Sequence, residues 1–272
     1  MGRFPFLLPY MMLLVLASCK KEQAGPNDTR SPDPGATTYP TVDERELKGI
    51  VRTRFDSPNP TESQLARQAR NNKLIQELGL PVLNSLPVIE DEESVTLRSP
   101  QEVAQRCLAT TLTAIKGETQ DQALVDSLVK DYSAASLFSP EETRFIASSA
   151  PPKQDLIDFC WRYECVHVFL WALGARDSLA GANEICPVPD DMKAIKRVGP
   201  TNFVAKAALR PKREILDMAD LYYRLHWAAI ELRIKGRKSD KADEGVIRER
   251  HRALNWLIRY MNQDWDDVTT DT

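Results

Sequence analysis

Aromatic residues make up only 7% of this 272-residue chain, glycine numbers 11, and nowhere do Val, Ile and Thr alternate with polar side chains. That scarcity excludes a β-sandwich, a barrel or a collagen-like fibre, which need β-branched alternation or glycine periodicity. No CxxC occurs among the five cysteines, which removes zinc ribbons and thioredoxin-type motifs. Equally missing are a nucleophile elbow, an HExxH pair, a phosphate-binding glycine loop and a dinucleotide fingerprint. Neither sign of charge dominates: 36 Lys and Arg stand against 39 Asp and Glu, a net charge of −3 with no general pull toward nucleic acid. What is present is helical periodicity punctuated by 18 prolines. The expected fold is all-α, a single helical domain of about eight to ten helices with a central apolar helix and a C-terminal antiparallel helix hairpin.

The N-terminus carries the sharpest local signal. Arg3 precedes an apolar stretch from Phe4 to Leu16 that contains Pro5 and Pro9 and ends in Leu16, Ala17, Ser18 and Cys19. It is too short for a membrane span, which needs about 20 apolar residues, and reads as a secretory leader over residues 1–18. Leu, small, small, Cys resembles the lipobox of bacterial lipoproteins, where the processing enzyme needs small side chains before the bond and a thiol to acylate. Cys19 is therefore the expected lipidation site, and the bilayer the expected partner through it; a diacyl or triacyl anchor is stable where one chain is not. Lys20 and Lys21 stand where inner-membrane lipoproteins of enteric bacteria carry Asp, so the outer membrane is expected rather than the inner. Residues 19–43 are polar and rich in Pro and Gly, a tether with a reach of about 25 to 30 Å, and the helical domain is expected over 44–272.

Helix signals then follow in series. Leu65, Ala69, Leu74 and Leu78 suggest an amphipathic helix from Thr61 that Gly79 and Pro81 stop. Ser99, Pro100 and Glu102, and again Ser139, Pro140 and Glu142, form capping boxes with proline at the first helical position. The first opens a helix with Val103, Cys107, Leu108, Leu112 and Ile115 on one face, and Leu124, Val125, Leu128 and Val129 mark a short helix between the two. Residues 155–173 are apolar on every side and predict one central helix ending at Gly174. Glu164 and His167 within it have the i, i+3 spacing of di-iron bundles, but the required second Glu-x-x-His is missing, and a hydrogen-bonded core pair is the reading. Cys107, Cys160, Cys165 and Cys186 read as buried thiols. Lys193, Lys196, Arg197, Lys206, Arg210, Lys212 and Arg213 read as a solvated basic face, with contact to anionic lipid or a polyanion as the functional alternative.

Several ordered motifs resemble one bacterial family. Arg98, Ser99 and Pro100 with Glu102, Val103, Ala104 and Arg106 come first, then Trp161, Arg162 and Glu164, then LWALG over Leu170–Gly174. ILDMADLYYRLHWA from Ile215, ERHRALNWL from Glu249 and WDDVTTDT from Trp265 follow. In this order they are similar to domain-of-unknown-function family 4272 over residues 62–272. The resemblance implies a helical single domain and supplies no activity or catalytic residue; His167 stands where it leads one to expect an aliphatic side chain.

At 100° per residue His226 falls in the apolar arc of Ile215, Ala219, Tyr222 and Ala229, and His251 shares a stripe with Ile247, Leu254, Ile258 and Met261. Asp217, Asp220, Arg224 and Glu231 fall on the opposite side, expected to be solvated. An antiparallel hairpin turning through residues 235–243 puts the two histidines at nearly the same level, so their imidazoles can meet. A register-fixing structural pair is favoured over a metal site built on His226 and His251. Two classes of function follow: a noncatalytic, lipid-anchored interaction domain of the cell envelope with an envelope protein partner, which is favoured, and an exported helical enzyme, metal-dependent or not. The enzyme would use His226, His251 and the aspartates Asp264, Asp266, Asp267 and Asp271. No cofactor is specified.

Overall fold

The computed structural model describes residues 59–272. The expected leader, Cys19, the expected tether and the first residues of the expected domain lie outside the described residues. Thr61 opens α1 (Glu62–Glu77) with a capping box: its hydroxyl accepts from the Gln64 N–H while the Gln64 side chain accepts from the Thr61 N–H. Ser99 and Ser139 make the same reciprocal pair with Glu102 and Glu142 at the heads of α2 (Pro100–Thr119) and α4 (Pro140–Ala147). Between them the Asp121 carboxylate caps α3 (Gln122–Asp131). There follow α5 (Lys153–Trp161), α6 (Tyr163–Ala172), α7 (Val188–Val198), α8 (Pro200–Ala205), α9 (Lys212–Ile234) and α10 (Glu244–Leu257). Two 3-10 turns, Tyr260–Asn262 and Trp265–Asp267, complete the order. Among the described residues there is no strand, and the domain is all-α.

Contacts run from the outside inward as α1 on α9, α9 on α10, α10 on α6 and α6 on α2, with α3, α4, α5 and α8 packed around α2. Every residue of α6 is buried, as its uniform hydrophobicity requires. Its C-terminus is closed by a Schellman turn, with Gly174 at φ +70°, its N–H on the Trp171 carbonyl and the Ala175 N–H on the Leu170 carbonyl. Helix α2 approaches its neighbour α5 so closely that a Cβ on Gly117 would sit 2.7 Å from the Leu156 carbonyl oxygen and 2.8 Å from the Cys160 nitrogen. Only glycine allows backbones to meet this way. Beyond α10, Trp265 lies between the guanidiniums of Arg106 and Arg252, 5.2 and 5.1 Å from its ring, and donates its indole N–H to Glu142 at 3.1 Å. Trp256 and Phe169 complete this aromatic knot.

Five expectations need correction. The leucines of α1 face outward: Leu65, Leu74 and Leu78 are 46, 47 and 42% exposed, and the buried face is Gln64, Arg67, Asn71 and Ile75. Polar partners decide that orientation. Gln64 donates to the Ile89 carbonyl, Arg67 to the Glu90 carbonyl and to Asp217, and Asn71 to the Asp217 carbonyl and Asp220. For the same reason Asp220 and Arg224 of α9, expected in solvent, are buried and paired at 2.9 Å. The single helix over 155–173 is two, because the turn tightens at Arg162, whose N–H reaches the Phe159 carbonyl and whose side chain pairs with Glu249 of α10. In α2 burial is nearly all-round; Thr111 and Thr113 turn their hydroxyls onto the helix's own carbonyls, and Lys116 donates to the Ile146 and Ser148 carbonyls at the end of α4. Met261 leaves the His251 stripe, since α10 ends at Leu257 and Met261 adopts φ +51°.

Candidate functional site

The outward turn of α1 leaves an open groove of about 710 Å³ between α1, α9 and the loop 177–182, within the 300 to 1,000 Å³ typical of binding sites. Leu74 and Leu78 form one wall, Met218, Leu221 and Leu225 the other, and Trp171 part of the floor. Charged groups stand on its rim. Arg70 reaches Asp217 at 2.8 Å, Arg210 reaches Glu214 at 3.2 Å, and Glu77 and Asp177 are exposed beside them.

Two arginines hold the loop wall. Arg210 packs its guanidinium 5.3 Å from the Trp171 ring and donates to the carbonyls of Trp171, Arg176 and Asp177. Arg250, wholly buried on α10, donates to the carbonyls of Ala180, Gly181 and Glu184, to the Tyr222 hydroxyl at 2.8 Å and to Glu164 at 2.8 Å. Burial alone would lower its affinity for the proton, but the carboxylate of Glu164 and the Tyr222 oxygen more than offset this and hold it protonated. Glu164 spends its second oxygen on the Cys186 N–H at 2.8 Å. His167 accepts the Ala180 N–H on Nε2 at 3.2 Å, so its Nδ1 carries the proton and donates to Asp191 at 2.8 Å. Glu164 and His167 thus share no ligand; each fastens a different point of the chain between α6 and α7.

The other candidate residues are placed as follows. His226 and His251 meet across the α9–α10 hairpin, Nδ1 to Nδ1 at 3.1 Å with rings 76° apart, both buried. Burial first, then the positive field of Arg248, depresses the His226 pKa to about 4, against the Thr270 backbone, which hydrogen-bonds to the ring and opposes the shift. With Nδ1 committed to its neighbour, Nε2 is the nitrogen left for Thr270. Neutral His226 then accepts on Nδ1, and His251 supplies the shared proton. Asp266 caps α4 by accepting the Glu141 N–H at 2.9 Å, and Asp271 accepts from the Thr269 hydroxyl at 2.8 Å. These aspartates are occupied at the C-terminal turns. Among the described residues no group of three or more His, Cys, Asp and Glu side chains is disposed to hold a metal ion. Cys107, Cys160, Cys165 and Cys186 are buried and outside any disulfide, with Cys107, Cys165 and Cys186 pushed up in pKa by desolvation. The basic run disperses: Arg210 serves the loop, Lys212 donates to the Glu92 and Val95 carbonyls, and Lys193 pairs with Asp190.

Sequence reasoning missed the groove. Its signal was the match between Arg67, Arg70 and Asn71 on one helix and Asp217 and Asp220 on another, a pairing that becomes visible only when the two helices are laid together. No curated protein and no solved structure matches the chain. The model of the family described as a domain of unknown function (DUF4272) matches residues 67–268, a span that takes in α9, α10, the loop and α1 from Arg67 onward, and the chain belongs to that family.

Proposed function

We propose that this chain is a lipid-anchored protein of the cell envelope, held at the outer membrane through acylated Cys19, and that its helical domain acts by binding a protein partner in the α1–α9 groove rather than by catalysis. One contrast carries the reading: the groove keeps Leu74, Leu78, Met218 and Leu221 within reach of solvent, while His167, Glu164 and the His226–His251 pair spend their bonding capacity inside the fold. Apolar side chains gathered in one groove, rather than scattered singly, are what a contact site presents. The lipobox-like Leu16-Ala17-Ser18-Cys19 supports the anchor.

The test is genetic complementation in the source bacterium. Leu74→Asp combined with Met218→Asp, at normal protein level, is expected to behave as the deletion. His226→Asn combined with His251→Asn, at matched level, is expected to complement. The opposite pattern would overturn binding in favour of catalysis at the histidines.

A further inference from the structure

We infer that the groove receives a basic amphipathic helix, one with leucine-like side chains along one face and lysine or arginine beside them; this rests on the binding role proposed above. The rim has four carboxylates, Glu77, Asp177, Glu214 and Asp217, against two guanidiniums, Arg70 and Arg210. Asp217 is engaged by both Arg70 and the buried Arg67, and Glu214 by Arg210, which also holds the Trp171 ring and three carbonyls, leaving Glu77 and Asp177 as the carboxylates that no rim arginine engages. The charge left to an incoming segment is therefore negative.

Helix direction reinforces this. Leu78, the C-cap of α1, lines the groove together with Leu74 and Glu77, so the negative end of that helix dipole lies beside the site. No basic side chain occupies the last turn of α1, and Glu77 places a carboxylate there. That arrangement is unfavourable for α1 alone and is relieved by a cation from outside. Lys73 approaches Glu77 only at 3.9 Å, with both side chains mostly in solvent. A third helix laid between α1 and α9 extends the packing that those two already make, with its apolar side chains against Leu74, Leu78, Met218 and Leu221. Electrostatic complementarity of this kind sets orientation and encounter rate, while the apolar contacts supply affinity.

The experiment uses the full chain in zwitterionic nanodiscs, with empty discs as the blank. The probes are two fluorescein-labelled peptides of about five helical turns, one of leucine and lysine at helical spacing, the other with glutamate for every lysine. The lysine peptide is expected to bind with a Kd on the order of 10 μM and the glutamate peptide at least about tenfold more weakly. Leu74→Asp, at a side chain already half in solvent, should abolish binding while the helical circular dichroism spectrum is kept. Glu77→Lys with Glu214→Lys should reverse the preference between peptides. Equal binding of both peptides, lost in Leu74→Asp, would overturn the basic partner and leave the groove as a binding site. Lysine-peptide binding that survives Leu74→Asp would overturn the groove as well. Failure of the lysine peptide to bind would also overturn the proposal. So would concentration-dependent dimerisation abolished by Leu74→Asp, since the occupant would then be a second copy of the chain.

Discussion

The guanidinium of Arg250 meets the carboxylate of Glu164 at 2.8 Å in a space neither shares with solvent, and through that one pair α6, α10 and the loop between α6 and α7 are joined. Removing one partner strands the other. Arg250→Met is expected to cost roughly 3 to 5 kcal/mol, because a buried carboxylate and three loop carbonyls lose their donor. Combining it with Glu164→Leu should cost less than the sum of the single changes. Urea unfolding of the three variants measures this; small additive effects would mean that the pair is not coupled.

Gly117 offers a test of opposite sign to helix propensity. Alanine in a helix interior ordinarily stabilises by about 1 kcal/mol relative to glycine. Here the new methyl would collide with the backbone of α5 at Leu156 and Cys160, which cannot rotate aside as a side chain would. Gly117→Ala should therefore destabilise, by about 1 to 3 kcal/mol. A raised melting temperature would mean that α2 and α5 do not approach as described.

His226 predicts an acid-sensitive term. Its folded pKa of about 4 lies below the ordinary value of 6.5, so between those limits the unfolded chain binds a proton that the folded chain refuses. The contribution is fully present above pH 6.5 and is lost as pH falls toward 4, amounting to at most about 3 kcal/mol. In stability measured against pH, His226→Asn should flatten that limb relative to the parent. Superimposable slopes would show that His226 titrates normally in the fold.

On α1 the polar side chains should matter more than the leucines. Leu65→Glu and Leu74→Glu are expected to shift stability by less than about 0.5 kcal/mol, whereas Asn71→Ala, which removes the bonds to the Asp217 carbonyl and to buried Asp220, should cost about 1 to 3 kcal/mol. Thermal melts decide the order. The reverse ranking would turn α1 over.

Anchoring has its own check. The wild-type chain should take up an alkynyl fatty acid and partition into detergent, and Cys19→Ser should abolish both. Labelling that persists in Cys19→Ser would remove the lipoprotein assignment.

Local chemistry explains which features were legible in advance. Capping boxes at Ser99 and Ser139 are contained in four residues, so they read directly, and the hairpin's register follows from the shortness of its turn, which brings His226 opposite His251. The uniform apolar run of Tyr163–Ala172 could only be central. Orientation of α1 could not be read the same way, since its stripe of leucines obeys the ordinary rule and loses to five hydrogen bonds made with distant segments. Arg162 shows the same limit: nothing in its neighbours breaks the helix, and its partner Glu249 lies 87 residues away. The groove inherits both difficulties, being a product of where α1 sits.

Helix α1 is joined to the rest of the domain mainly by amide, guanidinium and carboxylate contacts, and Ile75 is its one fully buried aliphatic side chain. Peeling away an apolar helix exposes surface that water dislikes; here water can take over most of the bonds, each worth a net of about 0.5 to 1.5 kcal/mol. The amide protons of α1 should consequently exchange with solvent well before those of α2 and α6, as a cooperative unit with its own low opening free energy. A ligand lodged between α1 and α9 would slow that exchange while leaving the interior untouched. The groove is thus walled on one side by an element with a lifetime, and occupancy can be read as the lengthening of that lifetime.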